Sequence, residues 1–370
     1  MGFHHKGRHR PTGKGRELKM EMIEYLFTGL IIIAILVGSS TMVTMISEPQ
    51  RITSEKEQLK IVAQKLMTQL ILDPGIPPDW GSQIEPDGEE IKALGLAKYS
   101  ETRRDAYVLD PDKVMRLNGL LKPRRLYISP SRALELLNLK GIYGFRIELQ
   151  PALNVSQVNA TGSQYEIKVS TISGTPIAGA NVTARMFYYD GNFNFTDPLE
   201  GGTKTTDVYG RCTFNFNMSS PRSVIFLVVD HNGIRLVKVF SAGDQVERAT
   251  LIGSRILVED KILIGEALEI LLEMGDKGLD IINVCHKFNL TGVEEGLYMH
   301  ELDFLEPSME AVLSISQDGK LYYATREVYL QEYSTVEGVG PTPFSYSLER
   351  SVIIGRSIYI VRLYVWRMSW

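Results

Sequence analysis

The chain has 370 residues, 44% of them hydrophobic and 23% charged, with a formal net charge of −4. No broad basic excess exists outside the N-terminus, which argues against a nucleic-acid footprint. Two cysteines, Cys212 and Cys285, exclude a disulfide framework and a four-cysteine zinc site.

Residues 1–24 hold six Lys/Arg, from Lys6 to Lys19, and three histidines. Tyr25–Ile46 follows, 22 residues without a charge. A bilayer core takes about 20 apolar residues as helix, so 25–46 is expected to span a membrane. The basic flank then places residues 1–24 in the cytoplasm and the C-terminal region outside. A cleaved secretory signal would have a shorter apolar region and an A-x-A-like site, and GSSTMVTMISEPQ offers no such site. N-x-S/T sequons at Asn154, Asn159, Asn181, Asn194, Asn217 and Asn289 all lie beyond the apolar segment and are the candidate glycosylation sites.

Residues 47–72 read as an amphipathic stalk helix. Ser54 and Glu57 have capping-box spacing, and Leu59, Val62, Leu66 and Leu70 recur at helical intervals. The stretch LILDPGIPPDW (70–80) ends it: Asp73-Pro74 disfavours helix, Gly75 supplies a turn, and Pro77-Pro78 prevents a restart. Trp80 is expected to pin that turn to a packed surface.

Short helices are expected at Pro111–Leu117 and 131–139, a short strand at RRLYIS, and a strand at YGFRIELQP (143–151). From about 160, Tyr165, Ile167 and Val169 alternate, as do Ala180, Val182, Ala184 and Met186, and then Cys212, Phe214 and Phe216. Asn232-Gly233 between two apolar runs signals a type I′ hairpin. Such short strands joined by turns predict a β-sandwich. The stretch 250–370 is strand-rich, with a helix expected around Gly265–Met274 and turns at Asp318-Gly319 and Gly355-Arg356.

Residues 163–240, through G-T-P-I-A-G-A-N-V (174–182) and T-D-V-Y-G-R (206–211), resemble an immunoglobulin-like module of the carboxypeptidase-regulatory or bacterial Ig-like type. That resemblance implies a spacer or adhesive β-sandwich. Residues 20–150 and 250–370 resemble archaeal pilin-related membrane proteins of the class III signal peptide-like type. The basic N-terminus, long first helix, PGIPPDW, LGLA (94–97) and the terminal hairpin ending in VRLYVW carry the likeness. The nearest glycine before the apolar segment is Gly15, and no small residue sits at a matching cleavage point.

No catalytic motif emerges. The chain has no Walker loop, G-x-S-x-G, H-E-x-x-H or EF-hand pattern. His231 falls at a hairpin tip, His300 lacks a second histidine four residues on, and Cys285-His286 are neighbours in sequence only. Cys212 reads as a core thiol. The acidic groups Glu85/Asp87/Glu89/Glu90 and Glu294-Glu295 match no calcium loop, and the tail HHKGRH reads as topogenic. No catalytic, cofactor or metal residue is assigned.

The expected fold class is α+β, mainly β outside the membrane: a long N-terminal transmembrane and stalk helix, a pilin-like α+β body and an Ig-like β-sandwich. The parts run 1–24 (basic cytoplasmic tail), 25–46 (transmembrane helix), 47–72 (stalk), 73–150 (pilin-like part), 151–243 (sandwich) and 244–370 (C-terminal β-rich part, which can form one domain with 73–150). The expected function is a non-enzymatic, single-pass, membrane-anchored extracellular surface protein with a structural, adhesive or filament-associated role. The alternatives are a processed type IV pilin-like subunit and an ectodomain or accessory subunit of an envelope enzyme or transport complex. Expected partners are membrane lipid through 25–46, envelope or pilus-like filament proteins, and surface glycans, with no cofactor and no nucleic acid.

Overall fold

The computed structural model describes residues 27–37, 55–83, 91–100, 105–139, 141–189, 199–216, 221–259, 266–275, 278–302, 309–316, 319–336 and 345–368. The chain divides into Met1–Gln58 and Leu59–Trp370. In the first unit the described structure includes an 11-residue helix, 27–37.

That helix corrects the expected fold class, the single-pass membrane keywords and the membrane localisation together. Among the described residues no helix is long and apolar enough to cross a membrane. At 1.5 Å per residue, 11 residues reach about half of a ~30 Å hydrocarbon core. The remainder of 25–46, and all of 1–24, lie outside the described residues. The described chain is mostly β, with four helices and no long N-terminal apolar helix.

The expected stalk is also a core element. Helix 55–72 enters the second unit at Leu59. Its Leu59, Ala63, Leu66, Met67, Leu70 and Ile71 are buried in one cluster with Phe145, Ile147, Leu149, Val361 and Leu363. The spacing i, i+4, i+7, i+8, i+11, i+12 makes a wide apolar stripe, which buries against a sheet. Ile61, off the stripe, is exposed. The sheet beneath has five strands in the order Val108–Leu109, Tyr346–Ile354, Ser357–Arg367, Tyr143–Pro151, Leu330–Ser334. Two short helices complete this layer. Pro111–Met115 is N-capped by Asp110 and Pro130–Leu136 by Ser129, each with proline in its first turn. RRLYIS, expected as a strand, instead holds a 3₁₀ turn at Arg124–Leu126.

Residues 153–241 form two facing sheets, one of three strands (Leu153–Thr161, Gln164–Thr171, Arg211–Asn215) and one of four. The order of the second is Leu199–Thr205, Asn181–Tyr188, Ser223–His231, Ile234–Ser241. Tyr165, Ile167, Val169, Val182, Ala184, Met186, Phe214 and Leu227 fill the space between them. The segments 174–182 and 206–211 are stapled to each other. Thr206 Oγ1 donates to Ile177 O at 2.7 Å and accepts from Ala180 N–H at 2.9 Å. Gly210, at φ +73°, lies so near Val169 that a Cβ there would sit 2.3 Å from its carbonyl oxygen. Asn232 and Gly233 both have positive φ, as a type I′ turn requires.

The strand Ser223–His231 is buried from Ser223 to Val229 on both faces. Its Ile225, Leu227 and Val229 meet the three-stranded sheet. Its Val224, Phe226 and Val228 pack with Ala311, Leu313, Ile315 and Leu321 of an eight-stranded C-terminal sheet. The four-stranded sheet is therefore the middle of three β layers, and a doubly covered strand reads as a continuous apolar run. In the C-terminal sheet, Glu266–Gly275 is a strand where a helix was expected, held between Gly278–Glu294 and Met309–Ile315. Glu294-Glu295 belongs to a hairpin turn, with Glu295 and Gly296 at positive φ.

Candidate functional site

The most polar part of the interior lies where PGIPPDW meets the helix Pro111–Met115. Asp73 Oδ1 accepts the Gly75 N–H at 2.8 Å, which closes the turn after helix 55–72. Gly95 crosses so close beneath it that a Cβ would sit 2.1 Å from Asp73 O. Trp80 is fully buried, and its indole Nε1–H lies 3.1 Å from both Pro74 O and Gly95 O. Two cations flank the ring: Lys113 Nζ and Arg116 Cζ each lie 5.9 Å from the Trp80 ring.

Lys113 has no exposed surface. Its ammonium donates to three main-chain carbonyls, Pro74 O at 2.9 Å, Pro78 O at 2.7 Å and Ala97 O at 2.8 Å. All three donors of the ammonium are thereby used. Asp110 Oδ2 stands 3.9 Å away. Burial pulls the Lys113 pKa down from its ordinary value, against Asp110 and other carboxylates that raise it. Arg116 is likewise buried and donates to Gln83 O. These groups close the turn of the chain; they leave no ammonium hydrogen for a reacting molecule.

One residue along, Asp112 pairs with Arg326 at 3.0 Å, both largely buried. Burial raises the Asp112 carboxyl to about 6, the Arg326 charge opposes this, and Asp110 adds to the rise. A carboxyl whose folded pKa is raised contributes stability below its unfolded pKa, near 3.8, and loses it as pH climbs through about 6. The loss amounts to roughly 3 kcal/mol. In urea titrations at stepped pH, Asp112→Asn is expected to remove this fall between pH 4 and 6. At pH 7 it is expected to be at least as stable as the parent, whose buried carboxylate is ionised there at a net cost. An unchanged pH 4–6 profile in the variant would show that another group titrates there.

A cavity of about 710 Å³ opens where the short-helix layer, the sandwich and the C-terminal sheet converge. Met115 and Leu121 line one side, Leu153, Val155 and Leu236 another, and Val328 a third. Lys238 is ion-paired to Glu327 beside it. Arg248 Nη2 lies 3.1 Å from Glu327 O and 3.5 Å from Thr325 Oγ1.

Of the described sequon residues, Asn154 is on the lining of this cavity. Asn154 and Asn159 are exposed on the strand Leu153–Thr161, an edge of its sheet, and Asn181 is exposed at the start of Asn181–Tyr188. Asn289 is in the strand Gly278–Glu294. Asn194 and Asn217, the group Glu85/Asp87/Glu89/Glu90 and the HHKGRH tail lie outside the described residues. His300 is buried in Leu297–Leu302, and His231 sits beside Asn232 at the hairpin tip, Nε2 to Nδ2 3.1 Å. Cys212 is a free, buried thiol, pushed up to about 11 chiefly by burial. That is the setting of an inert core cysteine. Among the described residues no group of three His, Cys, Asp or Glu side chains could hold a metal ion. Sequence reasoning missed Lys113, Arg116, Asp112, Arg326 and Arg248. A charged residue repeatedly placed within a short apolar helix, as in PDKVMR, is the one signal that could have found the first three.

Fold and site define a layered, mostly β protein with a seven-stranded sandwich, whose buried cations close the chain on itself. No family model and no curated protein matches it. Among solved structures it is similar to trypsin-activated alpha-2-macroglobulin from Escherichia coli, at 11% identity and a TM-score of 0.19. That match spans 55% of this chain and 18% of the other.

Proposed function

We propose that the protein is a non-catalytic structural subunit that associates with copies of itself through helix 27–37. The observation that carries this is the helix's surface. Phe27, Leu30, Ile31, Ile32, Ile33 and Ile35 each expose between 52% and 67% of their area. At 100° per residue these six side chains are spread around the whole helix. A helix that is apolar all round needs cover on every side, whereas a groove covers one stripe. Every copy carries the same uncovered surface, and identical helices gathered about a symmetry axis cover one another. This is the filament-associated or structural role that the pilin-related resemblance implies. The β layers supply a rigid body, and their work is contact rather than bond chemistry.

Photo-crosslinking tests the reading. A benzophenone amino acid replaces Ile33 in the full chain. Irradiation is expected to give dimers and larger species whose linked peptides both come from 27–37. Cross-links confined to the same chain, to another protein or to lipid would overturn it.

A further inference from the structure

We propose that the 710 Å³ cavity binds a short neutral oligosaccharide. Its volume falls within the range of about 300 to 1,000 Å³ found for small-molecule sites. The aliphatic residues Leu153, Val155, Leu236 and Val328 on its lining are only 1–5% exposed. They present little hydrocarbon to a ligand, so a fatty or purely apolar molecule finds no open wall there. Tyr329, 50% exposed, stands open on the same lining.

The polar groups select the ligand. Gln150, Asn154 and Asn118 place three side-chain amides on the lining. Among the described residues, the amides of Gln150 and Asn154 and the Tyr329 hydroxyl have no hydrogen-bond partner. Asn118 uses only Oδ1, which accepts the Leu120 N–H at 2.9 Å. A side-chain amide offers two donors and an acceptor. A sugar hydroxyl both donates and accepts, so neighbouring hydroxyls match that pattern, and the C–H face of a sugar ring packs on an aromatic ring such as Tyr329. The charged groups are already engaged. Lys238 pairs with Glu327, and Arg248 Nη2 is held by Glu327 O and Thr325 Oγ1. No guanidinium fork is left for a carboxylate or phosphate, which favours a neutral sugar over an acidic one. This inference does not depend on self-association through helix 27–37.

The test is saturation-transfer NMR of the full chain with cellotriose, maltotriose, mannotriose and triacetylchitotriose, and with trigalacturonate as the charged control. At least one neutral trisaccharide is expected to give transfer that saturates with concentration, at higher affinity than trigalacturonate. Tyr329→Ala and Gln150→Ala are each expected to weaken that binding roughly three- to tenfold. Tyr329 is exposed and Gln150 partly so; the thermal midpoint, measured alongside, is expected to hold. Tyr329→Phe, which keeps the ring and loses the hydroxyl, is expected to fall between Tyr329→Ala and the parent. The double variant Ile31→Lys with Ile35→Lys is expected to bind as the parent does. No saturable transfer from any neutral probe, stronger binding of trigalacturonate, or unchanged affinity in Tyr329→Ala or Gln150→Ala would overturn the proposal. Loss of binding in the double variant would also overturn it, by placing the sugar on helix 27–37.

Discussion

Lys113→Met is expected to destabilise the body by about 3–5 kcal/mol, read as a shift in the urea midpoint of the full chain at pH 7. Replacing a buried ion by an apolar residue can be neutral or stabilising when its partners are replaced too. That route is closed here. The partners are the main-chain carbonyls of Pro74, Pro78 and Ala97, which no side-chain substitution removes. Methionine matches the length of the lysine stem and fills the space, so the loss comes from stranded acceptors rather than a void. Each buried acceptor without a donor costs about 1–3 kcal/mol. The turn can relax to let water reach some of them, which keeps the sum near the lower end. A loss below about 1 kcal/mol would mean that the three carbonyls find other donors, and that the ammonium does not hold the turn.

Trp80→Ala is the second large effect, expected at about 3–5 kcal/mol from the cavity and lost burial. Trp80→Phe separates the two contributions of the indole. It keeps most of the apolar contact and removes the N–H shared by Pro74 O and Gly95 O, for an expected loss of about 1–2 kcal/mol. Lys113 and Trp80 share Pro74 O as acceptor and lie against each other. Their effects are therefore expected to be non-additive in the double variant. Strict additivity, measured by equilibrium unfolding, would show that the ring and the ammonium brace different parts of the turn.

These two residues also show where sequence reading stops. The stop signal at DPGIPPDW was legible because Pro and Gly act locally, and a buried Trp80 followed from its size. What Trp80 packs against was not legible. Lys113 reaches its acceptors across 39, 35 and 16 residues. A main-chain carbonyl carries no mark in the sequence. The alternation of Tyr165, Ile167 and Val169 and the Asn232-Gly233 turn were readable for the same local reason, a period of two and a demand for positive φ. The run Val224–Val229 was read as one strand of a hairpin, yet its unbroken apolarity also reflects the C-terminal sheet on its second face.

Elsewhere local signals misled. Glu266–Gly275 contains Glu, Ala, Leu and Met at helix-compatible spacing. Ladder pairing on both sides overrode that propensity. The stripe on 55–72 was correctly apolar, but a stripe alone does not distinguish a stalk from a core helix; Leu59 to Ile71 pack against the five-stranded sheet. The uncharged run 25–46 suggested a membrane span by length. The helix described within it covers 27–37 only.

Self-association through that helix is the central claim, and sedimentation equilibrium of the full chain tests it most directly. The parent is compared with a double variant, Ile31→Lys with Ile35→Lys, over a range of protein concentrations. The parent is expected to show a mass that rises with concentration to a multiple of 41.6 kDa. The double variant is expected to remain at the mass of one chain with an unchanged unfolding midpoint for the β body. A parent that stays monomeric, or a variant that associates as the parent does, would contradict the account.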